Sequence, residues 1–177
     1  SFEDINKWFL ELNTLENVYY LNNKSLIRDD ICFTGYNPDL EYYKTEETKI
    51  FINDIDSKIN MTKKYYNILL CHSPMNVFKK ETLENSNQII KADLILSGHM
   101  HNGMVLKIFD RGGNVGLISP QKKLFPKYSR NRVIKNVNGK DINLIISGGI
   151  TKISGMNSKC LKKFNNLYSK SIVYVEI

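Results

Sequence analysis

Cysteine is scarce and unpatterned in this chain. Cys32, Cys71 and Cys160 are the only three, and no two of them stand in a C-x-x-C spacing. An odd thiol count without that spacing argues against a disulfide framework and a zinc ribbon, and it fits a reducing compartment. Long apolar runs are missing as well. No stretch approaches the roughly 20 residues that a membrane-spanning helix needs. No signal-peptide pattern is read either, so a cytoplasmic location is the expectation. Internal repeats and low-complexity tracts are absent. Histidine occurs at three positions only: 72, 99 and 101.

What is present is an ordinary globular composition. The chain has 177 residues, 42% hydrophobic and 24% charged, enough for one domain with a sizeable core. The formal net charge is +7. It is concentrated at Lys122, Lys123, Lys127, Arg130, Arg132 and Lys135, and again at Lys159, Lys162 and Lys163. Such runs read first as solvated faces. Their second reading is attraction to a phosphate-bearing substrate or an anionic membrane surface. Nucleic acid is a poor third, since no recognised binding motif accompanies the charge.

Taken in order, residues 1–12 read as an amphipathic helix with Phe2, Ile5, Trp8, Phe9 and Leu12 on one face. Val18–Leu21 reads as a strand, and Ser25–Arg28 and Ile31–Thr34 as two strands joined at Asp29-Asp30. The spacing of Ile50, Phe51, Ile55 and Ile59 predicts a helix over 45–59. A strand over 66–71, a helix over 77–90 and a strand over 93–97 then form a crossover unit, which makes the two strands parallel neighbours. A strand is expected over 104–109. Asn138-Gly139 between two apolar runs is a strong hairpin signal, and a last strand is expected over 171–177.

All three histidines fall where a buried strand opens into a Gly- or Pro-bearing turn. His72 follows Ile68-Leu69-Leu70-Cys71 and precedes Ser73-Pro74; His99 and His101 follow Leu94-Ile95-Leu96-Ser97-Gly98. One histidine at a strand end is commonly a hydrogen-bonded structural residue. Three at the same edge of a parallel sheet, where ligands bind in open α/β folds, point to a metal site. Cys71 lies beside His72, but adjacent strand residues face opposite ways, so it reads as a buried core thiol. Gly148-Gly149 reads as a plain turn ahead of a phosphate cradle.

These residues resemble the calcineurin-like metallophosphoesterase family. The resemblance rests on Leu69-Leu70-Cys71-His72-Ser73-Pro74, Ser97-Gly98-His99-Met100-His101, Ser119-Pro120, Phe125-Pro126-Lys127-Tyr128 and Ser147-Gly148-Gly149 taken together. It points in particular to the bacterial predicted phosphohydrolase branch. It implies an α/β fold: the C-terminal half of a four-layer α-β-β-α sandwich with mixed sheets, with residues 1–177 as part of one phosphoesterase domain.

It also implies a centre of two divalent ions (manganese, iron or zinc), with His72 and His99 on the second metal and His101 on the first. The expected substrates are phosphorylated small molecules or lipids. The family's D-x-H, G-D-x-x-D and G-N-H-D/E motifs do not occur in this sequence. The chain is therefore expected to be inactive in isolation, to need an N-terminal half for its bridging carboxylate, and to self-associate through an uncovered sheet. Peripheral membrane association through that N-terminal segment is a further expectation. The alternative is a non-catalytic, degenerate relative that binds a phosphorylated or anionic partner.

Overall fold

The computed structural model describes residues 2–39, 41–42, 47–106, 112–149 and 171–176. In chain order its elements are α1 (Phe2–Leu12), β1 (Ser25–Arg28), β2 (Ile31–Tyr36), α2 (Thr48–Lys58), β3 (Tyr66–Cys71), α3 (Lys80–Asn85), β4 (Leu94–Ser97), β5 (Asn131–Val137) and β6 (Lys140–Ile146). Single 3₁₀ turns lie at Ile89–Lys91 and His101–Met104. The strands form one mixed sheet in the order β1-β2-β3-β4-β6-β5. Four central strands run parallel, and β1 and β5 join antiparallel at the two edges. The chain is thus mixed α/β around a six-stranded mixed sheet. Among the described residues no helix is long and apolar enough to cross a membrane.

The crossover between β3 and β4 is parallel as expected, with Ile68 opposite Leu94 and Leu70 opposite Leu96. Strand residues alternate between faces, so Leu69, Cys71, Ile95, Ile142, Leu144 and Ile146 all point the same way. There they meet Phe51, Ile52 and Ile55 of α2 in one continuous core. Ile55, Leu69, Ile95, Ile142, Leu144 and Ile146 are wholly shielded from water. Each contributes about 1.5–3 kcal/mol by burial. The aromatic corner closes with Phe51 edge-on to Tyr36, ring centres 5.8 Å apart.

The β5–β6 hairpin turns at Asn138 (φ 53°) and Gly139 (φ 83°), with Val137 opposite Lys140. Two consecutive left-handed residues make the turn whose twist suits a hairpin, which is why Asn-Gly is found there.

Four expectations change. Val18–Leu21 is not a strand: β1 already occupies the sheet edge, and the Tyr20 N–H is taken by the Asn13 side-chain oxygen at 2.8 Å. The helix expected over 77–90 shrinks to α3 and a 3₁₀ turn. It stops at Ser86, because the Asp56 carboxylate draws the Ser86 hydroxyl (2.7 Å) and the Asn87 N–H (2.8 Å) out of helical register. The strand expected over 104–109 begins instead as the turn at His101–Met104, while residues 107–111 lie outside those described. The last strand is reduced to one bridge between Ser171 and Gly149. Beyond it Val173 and Val175 are half-buried and Ile172 and Tyr174 exposed, and the segment borders a cavity of about 430 Å³ with Tyr66, Leu94 and Ile145. These three belong to the sheet face opposite the helices. Cys160 and the lysines at 159, 162 and 163 lie outside the described residues.

Candidate metal centre at the sheet edge

The parallel register of β3 and β4 places their C-terminal ends side by side. The ladder continues one step past the strands, as the Gly98 N–H donates to the His72 carbonyl at 3.1 Å. This bond sets the His72 and His99 rings edge to face, 4.7 Å between centres. Nδ1 of His99 lies 2.9 Å from Nε2 of His72. On its far side, Nε2 of His99 lies 2.6 Å from the amide nitrogen of Gln121. An amide nitrogen donates only, so here His99 accepts at Nε2 and carries its proton on Nδ1. That proton points at His72 Nε2, giving a one-way chain of donors from Gln121 through His99 to His72.

The backbone that carries His99 is costly. His99 (φ 65°), His101 (φ 47°), Asn102 (φ 56°) and Met104 (φ 48°) are all left-handed without being glycine. The cost is roughly 1–2 kcal/mol for a residue such as Met104 and less for Asn102, whose short polar side chain suits this region. Such conformations persist only where the surroundings fix them. Three contacts do so. Met100 is fully buried between the two histidines. Gly103 lies against Gly116 so closely that a Cβ on Gly116 would fall 2.5 Å from the Gly103 Cα. Gly148, at the end of β6, receives Asn102, and a Cβ there would fall 2.6 Å from that of Asn102. Gly148 is therefore a packing glycine rather than only a turn.

Gly116 opens a small hairpin. Its N–H donates to Pro126 O at 2.9 Å, the Phe125 N–H donates to Leu117 O at 3.0 Å, and Ile118 bridges Leu124. The tip of this hairpin delivers Gln121. Its Oε1 is buried and has no hydrogen-bond partner among the described residues. Reading the sequence finds the loop, bracketed by Pro120 and Pro126, but not the glutamine, whose role depends on a contact 22 residues distant.

Of the three sequence-predicted ligands, His72 and His99 meet, while His101 registers as a charge acting on His72. Partial desolvation, and secondly His101, hold the His72 pKa below the ordinary histidine value. Cys71 is a core thiol as expected; burial pushes its pKa up to about 12, and it faces the Ser73 carbonyl at 3.3 Å. The basic stretch divides. Arg130 is buried and donates to Gly113 O at 2.7 Å, and Arg132 holds Asn143 Oδ1, while Lys122, Lys123 and Lys127 are exposed.

A divalent ion bound at about 2.1 Å by two imidazoles in adjacent octahedral positions would hold their nitrogens about 3 Å apart. The His72–His99 separation of 2.9 Å matches that distance, and the two rings, whose nitrogens here face each other, would turn to aim at a shared ion. Among the described residues no group of three or more His, Cys, Asp or Glu side chains is gathered as a metal site. No family model, curated protein or solved structure matches the chain.

Proposed function

We propose that His72 and His99 supply two ligands of a two-metal centre of the calcineurin-like metallophosphoesterase kind, and that His101 serves its other ion. The single observation that supports this reading is the 2.9 Å approach of two ring nitrogens at the C-terminal edge of a parallel sheet, on backbone held in a costly conformation. The bound ions would acidify a bridging water and draw charge from phosphoryl oxygens, giving hydrolysis of a phosphomonoester, phosphodiester or pyrophosphate. The remaining ligands, including the bridging carboxylate, come from motifs this sequence does not contain. Within a four-layer sandwich, the sheet face bearing Leu70, Leu96 and Ile145 would meet the second sheet.

The chain's own part is ligation and orientation. For both lone pairs to meet one ion, the His99 proton moves to Nε2 and Gln121 turns its amide to present Oε1. The buried oxygen without a partner then gains its hydrogen bond. Metal-bound histidines usually donate their second N–H to such an acceptor.

The test is calorimetric titration of the chain with manganese and with zinc, beside His72→Ala and His99→Ala. The reading expects binding that either substitution removes, and no turnover of a chromogenic phosphodiester by the chain alone. Binding that survives both substitutions would overturn the metal assignment. Turnover abolished by His99→Ala would overturn inactivity in isolation. The alternative is a non-catalytic module holding a phosphorylated partner, for which the exposed Lys122 and Lys127 would supply charge. It requires salt-sensitive binding that ignores metal.

A further inference from the structure

We propose that the hairpin of residues 114–128 docks the protein onto an anionic lipid bilayer. Its apolar side chains face water. Val115 is 45% exposed, Leu117 38%, Leu124 67% and Phe125 65%. Large apolar side chains exposed together on one small hairpin mark an interaction surface. Lys122, Lys123 and Lys127 flank the most exposed pair and are themselves exposed. From residue 111 to residue 140 the sequence contains no Asp or Glu, so the stretch itself is uniformly basic.

An apolar tip between lysines matches the layering of a membrane surface. Leu124 and Phe125 enter the acyl boundary while the ammonium groups stay level with the phosphates, their stems lying along the apolar surface. The bridge between Ile118 and Leu124 and the contact of Gly116 with Gly103 keep the hairpin in shape without a partner.

A second exposed apolar cluster, Trp8, Leu10, Leu15 and Val18 in and after α1, competes for the same role. Glu11 and Glu16 lie among its residues, with Lys7, whereas the sequence from 111 to 140 carries basic residues and no acidic ones. Charge complementarity to an anionic surface therefore favours the hairpin. Docking there would also bring Gln121 and the histidine pair to the level of lipid phosphates; that last consequence rests on the metal reading, whereas the surface itself does not.

The experiment is co-sedimentation of the chain with phosphatidylcholine vesicles, with and without phosphatidylserine, at rising salt and with a chelator present throughout. The chelator separates this test from the metal assignment. The expected result is binding to the anionic vesicles only, weakened by salt. Leu124→Ser combined with Phe125→Ser should reduce it at least tenfold, by loss of the apolar insertion. Where that variant fails to fold, Lys122→Gln and Lys127→Gln alter exposed side chains and should each reduce it about fivefold. Trp8→Ser with Leu10→Ser should leave binding unchanged.

Equal sedimentation with neutral vesicles, or loss of binding through the α1 variant alone, would overturn the proposal. So would a dimer in light scattering that the double serine variant abolishes while no vesicle binding is found.

Discussion

The two ends of the sheet are built on opposite terms. At the end where β3 and β4 begin, a network of polar side chains ties the strands together, with Asn67 Oδ1 left buried and without a partner among the described residues. Asp93 accepts the Asn67 N–H at 2.7 Å and pairs with Lys140 at 2.8 Å. The Asn67 amide donates to Thr62 O and Tyr65 O, and Lys140 also reaches Lys91 O. Left-handed backbone there falls on Asp29, Asn138 and Gly139, residue types that adopt it cheaply. At the other end the left-handed residues include His99, His101 and Met104, with Lys122, Phe125 and Tyr128 in the hairpin beside them, and Gln121 Oε1 is shut in without a partner among the described residues. One end is organised for stability and the other for placement. The left-handed residues other than glycine, asparagine and aspartate all lie in the histidine turn and the hairpin beside it, which is a physical reason to look for chemistry there.

The sharpest way to break this contrast is Met100→Ala. The side chain is fully buried beneath the histidine turn, and its loss should cost about 2–5 kcal/mol in urea unfolding. The same substitution should also weaken zinc binding, because the left-handed turn loses its anchor. A destabilised variant with unchanged zinc affinity would show that the turn holds its shape by other means.

Gln121→Glu sharpens the contrast in the opposite direction. A carboxylate is an acceptor only, so it fixes the His99 proton on Nε2 and frees Nδ1 for a metal. Zinc affinity measured by competition with a chelating dye should rise roughly 10–100-fold. Unchanged or weaker affinity would dispose of the orienting role.

At the quiet end, Asp93→Ala removes the carboxylate that Asn67 and Lys140 share. A loss of about 1–3 kcal/mol is expected in the same unfolding assay, with metal binding untouched. Coupling between this change and the histidine edge, visible as altered metal affinity, would mean that the two ends are not independent.

The smallest effect concerns pH. In the metal-free protein His72 is held below its ordinary value, so the unfolded chain takes up a proton there more readily than the folded one. Its contribution is complete above the unfolded value of about 6.5 and is lost as pH falls through the lower folded value. The melting temperature should therefore decline on acidification through that window, and His72→Gln should flatten this part of the profile. A profile that His72→Gln leaves unchanged would assign the acid sensitivity to other groups.

Much of this could be read from the chain before any coordinates. Ile68-Leu69-Leu70 and Leu94-Ile95-Leu96 are dense apolar runs that fit only buried parallel strands, and their order dictates a shared edge for His72 and His99. Asn138-Gly139 fixes its own turn. Less legible are features whose determinants lie elsewhere in the sequence. Val18-Tyr19-Tyr20-Leu21 has the composition of a strand, yet it finds no free sheet edge. Residues 77–90 have helical composition, yet Asp56, some thirty residues earlier, interrupts them. Arg130 looks like part of a charged surface, although a carbonyl 17 residues away draws it inside. Gln121 carries no local signal at all. Left-handed φ values at His99 and His101 are equally hidden, since histidine enters that region more often than most residues yet only in a minority of its positions.

The seam between Gly103 and Gly116 has a consequence for how this protein tolerates change. In most packed contacts an enlargement on one side can be offset by a reduction on the other, which gives the sequence a route through neutral substitutions. Here both sides are already glycine, and each sits where the other's Cβ would be. No smaller residue exists to give way. The joint between the histidine turn and the exposed hairpin therefore has no compensating partner change. Any drift in the region must pass around these two positions rather than through them.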